Sequence, residues 1–155
     1  MKAPLFWYQD RSLLGAILSP LGALYGAATA RRVRQQPKHN AAIPVICIGN
    51  INAGGTGKTP TAIALAQRLT EFGHSPHIVS RGYGGSDAGP VMVDPQTHDA
   101  SQVGDEPLML SAFAPTWVSK DRAAGVIKAE AGGATVILLD DGFQNPAVHK
   151  DLSIV

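Results

Sequence analysis

Two kinds of hydrophobic pattern alternate along most of this chain. Ile43 to Ile48 and Thr135 to Leu139 are continuous apolar runs, as expected of strands buried on both faces. Between them, Ile63, Ala66, Leu69 and Phe72 recur at helical spacing, so Thr59 to Phe72 is predicted as a helix, with Pro60 in its first turn and Gly73 as its stop. His77 to Ser80 and Thr116 to Val118 are predicted as shorter strands, and Asp105 to Phe113 and Asp121 to Ala131 as further helices. Residues 86–103 are polar and turn-rich; the pattern predicts only a short strand there, at Val91 to Val93. Leu152 to Val155 begins another strand as the sequence stops, so the chain is expected to be a fragment of something longer. Strands alternating with helices predict an α/β fold, a mostly parallel sheet with helices on both faces.

The first part of the chain follows a different rule. Ser12 to Ala30 carries no charge and is followed by Arg31, Arg32 and Arg34. It is short and diluted for a spanning helix, which needs about 20 predominantly apolar residues. A signal peptide cleaved after Ala28-Thr29-Ala30 would export the glycine-rich loop Asn52 to Thr59, which has the spacing of a nucleotide-binding P-loop, to a place without ATP. Two compatible readings remain. One is an amphipathic, membrane-associating segment with Phe6, Trp7 and Tyr8 at headgroup level and the arginines facing anionic lipid. The other is a helical hairpin broken at Pro20 and packed on the rest. The expected division is 1–36, a helical membrane-associating segment, and 37–155, the α/β domain, whose glycine-rich loop at Asn52 to Thr59 makes it a nucleotide-binding one.

Composition narrows the picture only slightly. The 155 residues have a formal net charge of +1, without the basic excess of a nucleic-acid binder, so no nucleic-acid partner is expected. A single cysteine, Cys47, cannot form an internal disulfide and reads as packing within its strand.

The chemistry concentrates at the ends of the predicted strands. Asn52-Ala53-Gly54-Gly55-Thr56-Gly57-Lys58-Thr59 has the spacing of a phosphate-binding P-loop, with Asn52 in place of the first glycine. Glycines let successive backbone N–H groups turn toward a phosphate, and the following helix adds the positive end of its dipole. Lys58 then reaches the β- and γ-phosphates of ATP, and the Thr59 hydroxyl ligates Mg²⁺. Val136 to Asp140 places a carboxylate at a strand end, where P-loop proteins hold the metal. Asp141 beside it doubles a negative charge that a cation would relieve.

Gly104-Asp105-Glu106-Pro107 admits two accounts. Asp105 is either the N-cap of a helix with Pro107 in its first turn, or the base near an acceptor hydroxyl, with Glu106 near the metal. Arg81, in Arg81-Gly82-Tyr83-Gly84-Gly85, follows a strand at its carboxyl end, where open α/β sheets bind ligands. It is a candidate partner for a substrate phosphate, or an arginine on a flexible, solvated loop. Lys120-Asp121 lacks the spacing of a guanine-reading motif, which favours ATP.

Five stretches together resemble the tetraacyldisaccharide 4′-kinase family. They are Phe6-Trp7-Tyr8 with Pro20-Leu21 and Leu24-Tyr25; Gly49-Asn50 through Pro60; Ser80 to Gly84; Gly104 to Pro107; and Leu139-Asp140-Asp141-Gly142-Phe143-Gln144. The resemblance implies transfer of the ATP γ-phosphate to the 4′-hydroxyl of a lipid disaccharide 1-phosphate, at the cytoplasmic face of the inner membrane. It implies Asp105 as base, with Lys58, Thr59, Glu106, Asp140 and Asp141 around nucleotide and metal. Asn145 stands where many members carry histidine, and the resemblance implies a protein about twice as long, with a second lobe and a further histidine supporting the base that are missing from 37–155. Two other classes compete: a P-loop ligase or partitioning ATPase with a soluble acceptor or partner, and a non-catalytic nucleotide-binding module.

Overall fold

The computed structural model describes residues 13–33, 35–50 and 57–155. They fall into two compact units divided between Gln35 and Gln36.

Among the described residues the first unit holds one helix, α1 (Leu13–Val33), which runs through Pro20 without a break. The expected hairpin is therefore not formed. A proline inside a helix removes one backbone hydrogen bond, yet here the helix continues on both sides of it. Nor is α1 amphipathic in the usual sense. Leu13, Ile17, Leu21 and Leu24 recur at helical spacing with Leu18 and Tyr25 beside them, all exposed. Ala16, Ser19, Gly22, Ala23 and Gly26 occupy the other side, so the helix has a bulky face and a small face but no charged one. No helix among the described residues is long and apolar enough to cross a membrane. The aromatic start at Phe6 to Tyr8 lies outside the described residues.

The second unit is a six-stranded sheet with helices on both faces. Its elements in chain order are β1 (Val45–Ile48), α2 (Lys58–Glu71), β2 (Pro76–Ser80), β3 (Val91–Met92), α3 (Ala100–Val103), α4 (Asp105–Leu110), β4 (Thr116–Val118), α5 (Arg122–Ala131), β5 (Val136–Asp140) and β6 (Leu152–Ile154). The spatial order is β3-β4-β2-β5-β1-β6. All neighbours are parallel except β3 and β4.

The two-residue period of the strands divides the core cleanly. On one face Val45, Cys47, Val79, Ile137 and Leu139 pack with Val126 and Ala129 of α5. On the other, Ile48, Ile78 and Leu138 pack with Ala62 and Ala66 of α2 and Leu110 of α4. β2 and β5 are buried at every position, which is why their sequences are continuous rather than alternating. Helix α2 ends as expected: Gly73, with φ of 84°, supplies the left-handed residue after Phe72, and its N–H bonds the Thr70 carbonyl.

Two local expectations need correction. Residues 86–103 contain a helical turn, α3, whose start is held by Asp99 and Gln102 in a reciprocal capping box. The loop after β2 is not a flexible tether. Gly85 N–H bonds the Gly82 carbonyl, while Ser86 and Asp87 bond the Ser101 and Gln102 carbonyls.

Candidate functional site

Parallel strands expose their carboxyl ends on one side of the sheet, and three chemically distinctive segments leave from there. β1 leads through Gly49 and Asn50 toward the P-loop, β2 leads into Arg81, and β5 ends at Asp140 and Asp141. Because β5 lies between β1 and β2, its acidic end is flanked by both of the other segments.

Asn52, Ala53, Gly54, Gly55 and Thr56 lie outside the described residues. Gly57, Lys58 and Thr59 are described. Gly57 is the N-cap of α2 with φ of 83°, a left-handed backbone that disfavours a side chain. Lys58 and Thr59 open the helix, so the positive end of its dipole lies beside them. Lys58 Nζ lies 2.8 Å from Asp141 Oδ1. That hydrogen bond is the main reason its pKa stands above the ordinary lysine value, and burial opposes it only in part. The Thr59 hydroxyl donates to Glu106 Oε1, which brings the start of α4 to the start of α2.

The two adjacent aspartates face different environments. Asp140 is 2% exposed. Ser80 Oγ donates to its Oδ2 at 3.2 Å, and its Oδ1 is buried without a hydrogen-bond partner. Burial first, then the Glu106 charge, pushes its pKa up to about 6. A buried carboxylate oxygen lacking a partner costs about 1–3 kcal/mol or more. The Asp141 side chain, by contrast, is 67% exposed. Its φ of 52° is the only positive one found outside glycine among the described residues. Lys58 is thus the cation paired with Asp141, while the charges of Arg122 and Lys58 both favour the ionised form of Asp140.

Asp105 is not an N-cap. Gly104 holds that position of α4 with φ of 92°, and no side chain caps the helix. Asp105 is its exposed first residue, leaving its carboxylate without a structural task at the helix start. Arg81 is exposed on its loop and makes no ion pair with a described residue.

Arg122 and Ser80 belong to this region although sequence reasoning gave them no role. Arg122 is 3% exposed and donates to the Asp140 carbonyl at 2.7 Å and the Ser119 carbonyl at 3.4 Å. Burial lowers its pKa, and Arg81 adds repulsion, while Asp140 and Asp141 oppose both. The available signal was an arginine in the first turn of a helix, where the dipole disfavours a cation. Ser80 gave no signal beyond its place at a strand end.

A lysine and a hydroxyl at a helix N-terminus, facing carboxylates at the end of the neighbouring parallel strand, define a P-loop nucleotide-binding α/β protein. Comparison with known proteins narrows the class. Residues 14–155 match the model of the family described as tetraacyldisaccharide-1-P 4′-kinase, LpxK, and the chain belongs to that family. It is 63% identical to the tetraacyldisaccharide 4′-kinase of Dinoroseobacter shibae, covering all of this chain and 47% of that protein. It is 62% identical to the enzyme of the same name from a Jannaschia species, again over all of this chain and 47% of that one. Among solved structures it resembles LpxK from Aquifex aeolicus, described as an "apo" form in complex with ATP. There the TM-score is 0.78 at 29% identity, over 91% of this chain and 48% of that one. The chain therefore spans about half the length of the curated relatives it matches. Family membership sets aside the ligase and partitioning-ATPase readings.

Proposed function

We propose that this chain is the nucleotide-binding half of a kinase that transfers the ATP γ-phosphate to the 4′-hydroxyl of a tetraacyldisaccharide 1-phosphate, a step of lipid A biosynthesis. The observation that carries the reading is the meeting of Lys58 with Asp141 and Thr59 with Glu106 beside the buried Asp140. Relatives named tetraacyldisaccharide 4′-kinase and the ATP-bound neighbour support it.

Phosphoryl transfer needs positioned positive charge and a proton acceptor more than covalent chemistry. Backbone N–H groups of Asn52 to Gly57 would cradle the phosphates, and Lys58 would neutralise charge on the β- and γ-phosphates. Thr59, Glu106, Asp140 and Asp141 fit Mg²⁺. They are hard oxygen donors, and the bare, buried Oδ1 of Asp140 lacks only a cation or a proton. Among the described residues no group of three or more His, Cys, Asp or Glu could hold a metal ion alone. Mg²⁺ keeps several waters and is usually shared with nucleotide phosphates, so its binding does not require such a group. Bound there, it would neutralise charge developing between the β- and γ-phosphates. Asp105, exposed and free of a capping role, would take the acceptor proton, and Arg81 would pair with a phosphate of the acceptor.

The exposed bulky face of α1 supports a role at a lipid surface, since a lipid acceptor keeps its acyl chains in the bilayer. We place the enzyme on the cytoplasmic face of the inner membrane, peripheral or monotopic, where ATP is available.

The test is a transfer assay on the full-length protein with lipid acceptor, ATP and Mg²⁺. Phosphate should appear on the disaccharide, and Lys58→Ala should abolish it while melting normally. Nucleotide binding without transfer would return the chain to the non-catalytic alternative. Equal turnover by Lys58→Ala at saturating ATP would remove the P-loop from the mechanism.

A further inference from the structure

Lys150 is half-buried, and its side chain bonds backbone rather than a carboxylate. Its Nζ donates to the Asn145 carbonyl at 2.5 Å and the Phe143 carbonyl at 3.5 Å. Burial lowers its pKa, so the ammonium sits there at a cost. The backbone beneath it is firmly held. Asp151 N–H bonds the Val45 carbonyl, and Val45 N–H bonds Asp151 Oδ2, which fixes the neighbour of Lys150 to β1.

The two carbonyls belong to the turn that begins at Asp141. That turn has few bonds of its own: Asn145 N–H to the Gly142 carbonyl, and Ala147 N–H to Asn145 Oδ1. It is also pressed against the strand that leads to the P-loop. Asp141 N–H bonds the Ile48 carbonyl, and a Cβ on Gly49 would meet Phe143 Cβ at 2.7 Å. Left-handed φ at a non-glycine residue costs on the order of 1–3 kcal/mol and persists only where the surroundings over-determine it. Asp141 has that conformation, and it is the residue aimed at Lys58.

We infer that Lys150 is a positioning residue of the phosphoryl-transfer site. Its ammonium clamps the turn Asp141 to Asn145, so that the Asp141 carboxylate is presented to Lys58 and to the metal. The inference rests on the function proposed above for Asp141, but its first test does not. Lys150→Met keeps a stem of similar length and removes the donors; Lys150→Arg restores donors.

Hydrogen–deuterium exchange of the full-length protein, without nucleotide or metal, reads the clamp directly. Amides of residues 141–147 should exchange about tenfold faster in Lys150→Met, near the value expected for losing charge-assisted hydrogen bonds, while β1 and β5 stay protected. Lys150→Arg should recover most of the difference. The second reading is the Mg²⁺ concentration giving half-maximal binding of a fluorescent ATP analogue. It should rise about fivefold or more in Lys150→Met, and the same substitution should add nothing in an Asp141→Asn background. Unchanged exchange in the turn overturns the clamp. Faster exchange with an unaltered Mg²⁺ requirement, or additive effects with Asp141→Asn, overturns its service to the site. A uniform rise in exchange shared by Lys150→Met and Lys150→Arg reduces Lys150 to a support of the fold and overturns the inference equally. If the wild type itself shows no Mg²⁺-dependent nucleotide binding, the proposed function fails, while the exchange comparison still decides the clamp.

Discussion

Asp105 and Glu106 are neighbours whose surroundings give them different work. Glu106 holds the Thr59 hydroxyl; Asp105 is exposed and caps nothing. Asp105→Asn should therefore leave the melting temperature and ATP affinity nearly unchanged while kcat falls by about 10²–10⁴-fold, the usual worth of a general base. Retention of most of kcat would leave the base unidentified. The sequence alone left capping and catalysis open at this position, because a helix start looks the same for Asp at N-cap or one residue later. Nearer the start of β2, His77 is 4% exposed, and its Nδ1 accepts from Trp117 Nε1 at 3.2 Å. Burial holds its pKa below the ordinary 6.5. The unfolded chain thus binds this proton more tightly, so stability is full above 6.5 and is lost as pH falls toward the folded-state value. In His77→Gln, whose side-chain oxygen can still accept from Trp117, thermal melts should lose less stability between pH 7 and pH 5.5 than in the wild type. An identical acid dependence would show that other groups control it.

Between elements, glycines decide how closely the loops approach. A Cβ on Gly104 would stand 2.6 Å from the Tyr83 carbonyl, and one on Gly85 would stand 2.4 Å from the Gln102 carbonyl. The Arg81 loop and the α3–α4 corner are therefore fitted backbone to backbone. Gly104→Ala combines that clash with φ of 92°, and should destabilise by at least about 1–3 kcal/mol. Denaturant melts of the full-length protein check this, and a midpoint equal to wild type would mean that the corner yields easily. This closeness also explains what was legible in the sequence. β1, β2, β4, β5 and helices α2 and α5 were readable because burial on both faces, or on one helical stripe, writes itself into consecutive residues. The packing of Arg81 to Gly85 was not, since glycine looks the same in a mobile loop as in a tight backbone contact. α3 was missed because its signal was one capping box in a polar stretch. Lys58, Thr59 and Asp140 were legible as motif members, whereas the Lys58–Asp141 pair depends on a backbone twist at Asp141 that no spacing reveals.

At the scale of the molecule, the sheet-bearing unit contains its own core, built around β5 and sandwiched by α2 and α5. α1 belongs to the other unit. Deleting residues 1–33 from the full-length protein should accordingly change ATP affinity by less than about twofold while sharply reducing sedimentation with anionic lipid vesicles. If the shortened protein sediments as before, another surface meets the lipid; if it loses ATP binding, α1 supports the fold after all.

The strand order has a consequence for how the chain is made. Among the described strands β1 comes first in the chain, yet it pairs with β5 and β6, the last two described. Until Val136 to Asp140 has emerged, the strand feeding the P-loop has no neighbour in the sheet, and Lys58 has no Asp141 to meet. Shorter nascent chains can join β2 to β4, but they carry an unpaired apolar strand, the sort of surface that attracts chaperones. ATP has no assembled site to stabilise during that interval, so nucleotide can favour the native arrangement only after its central strand has slotted into place.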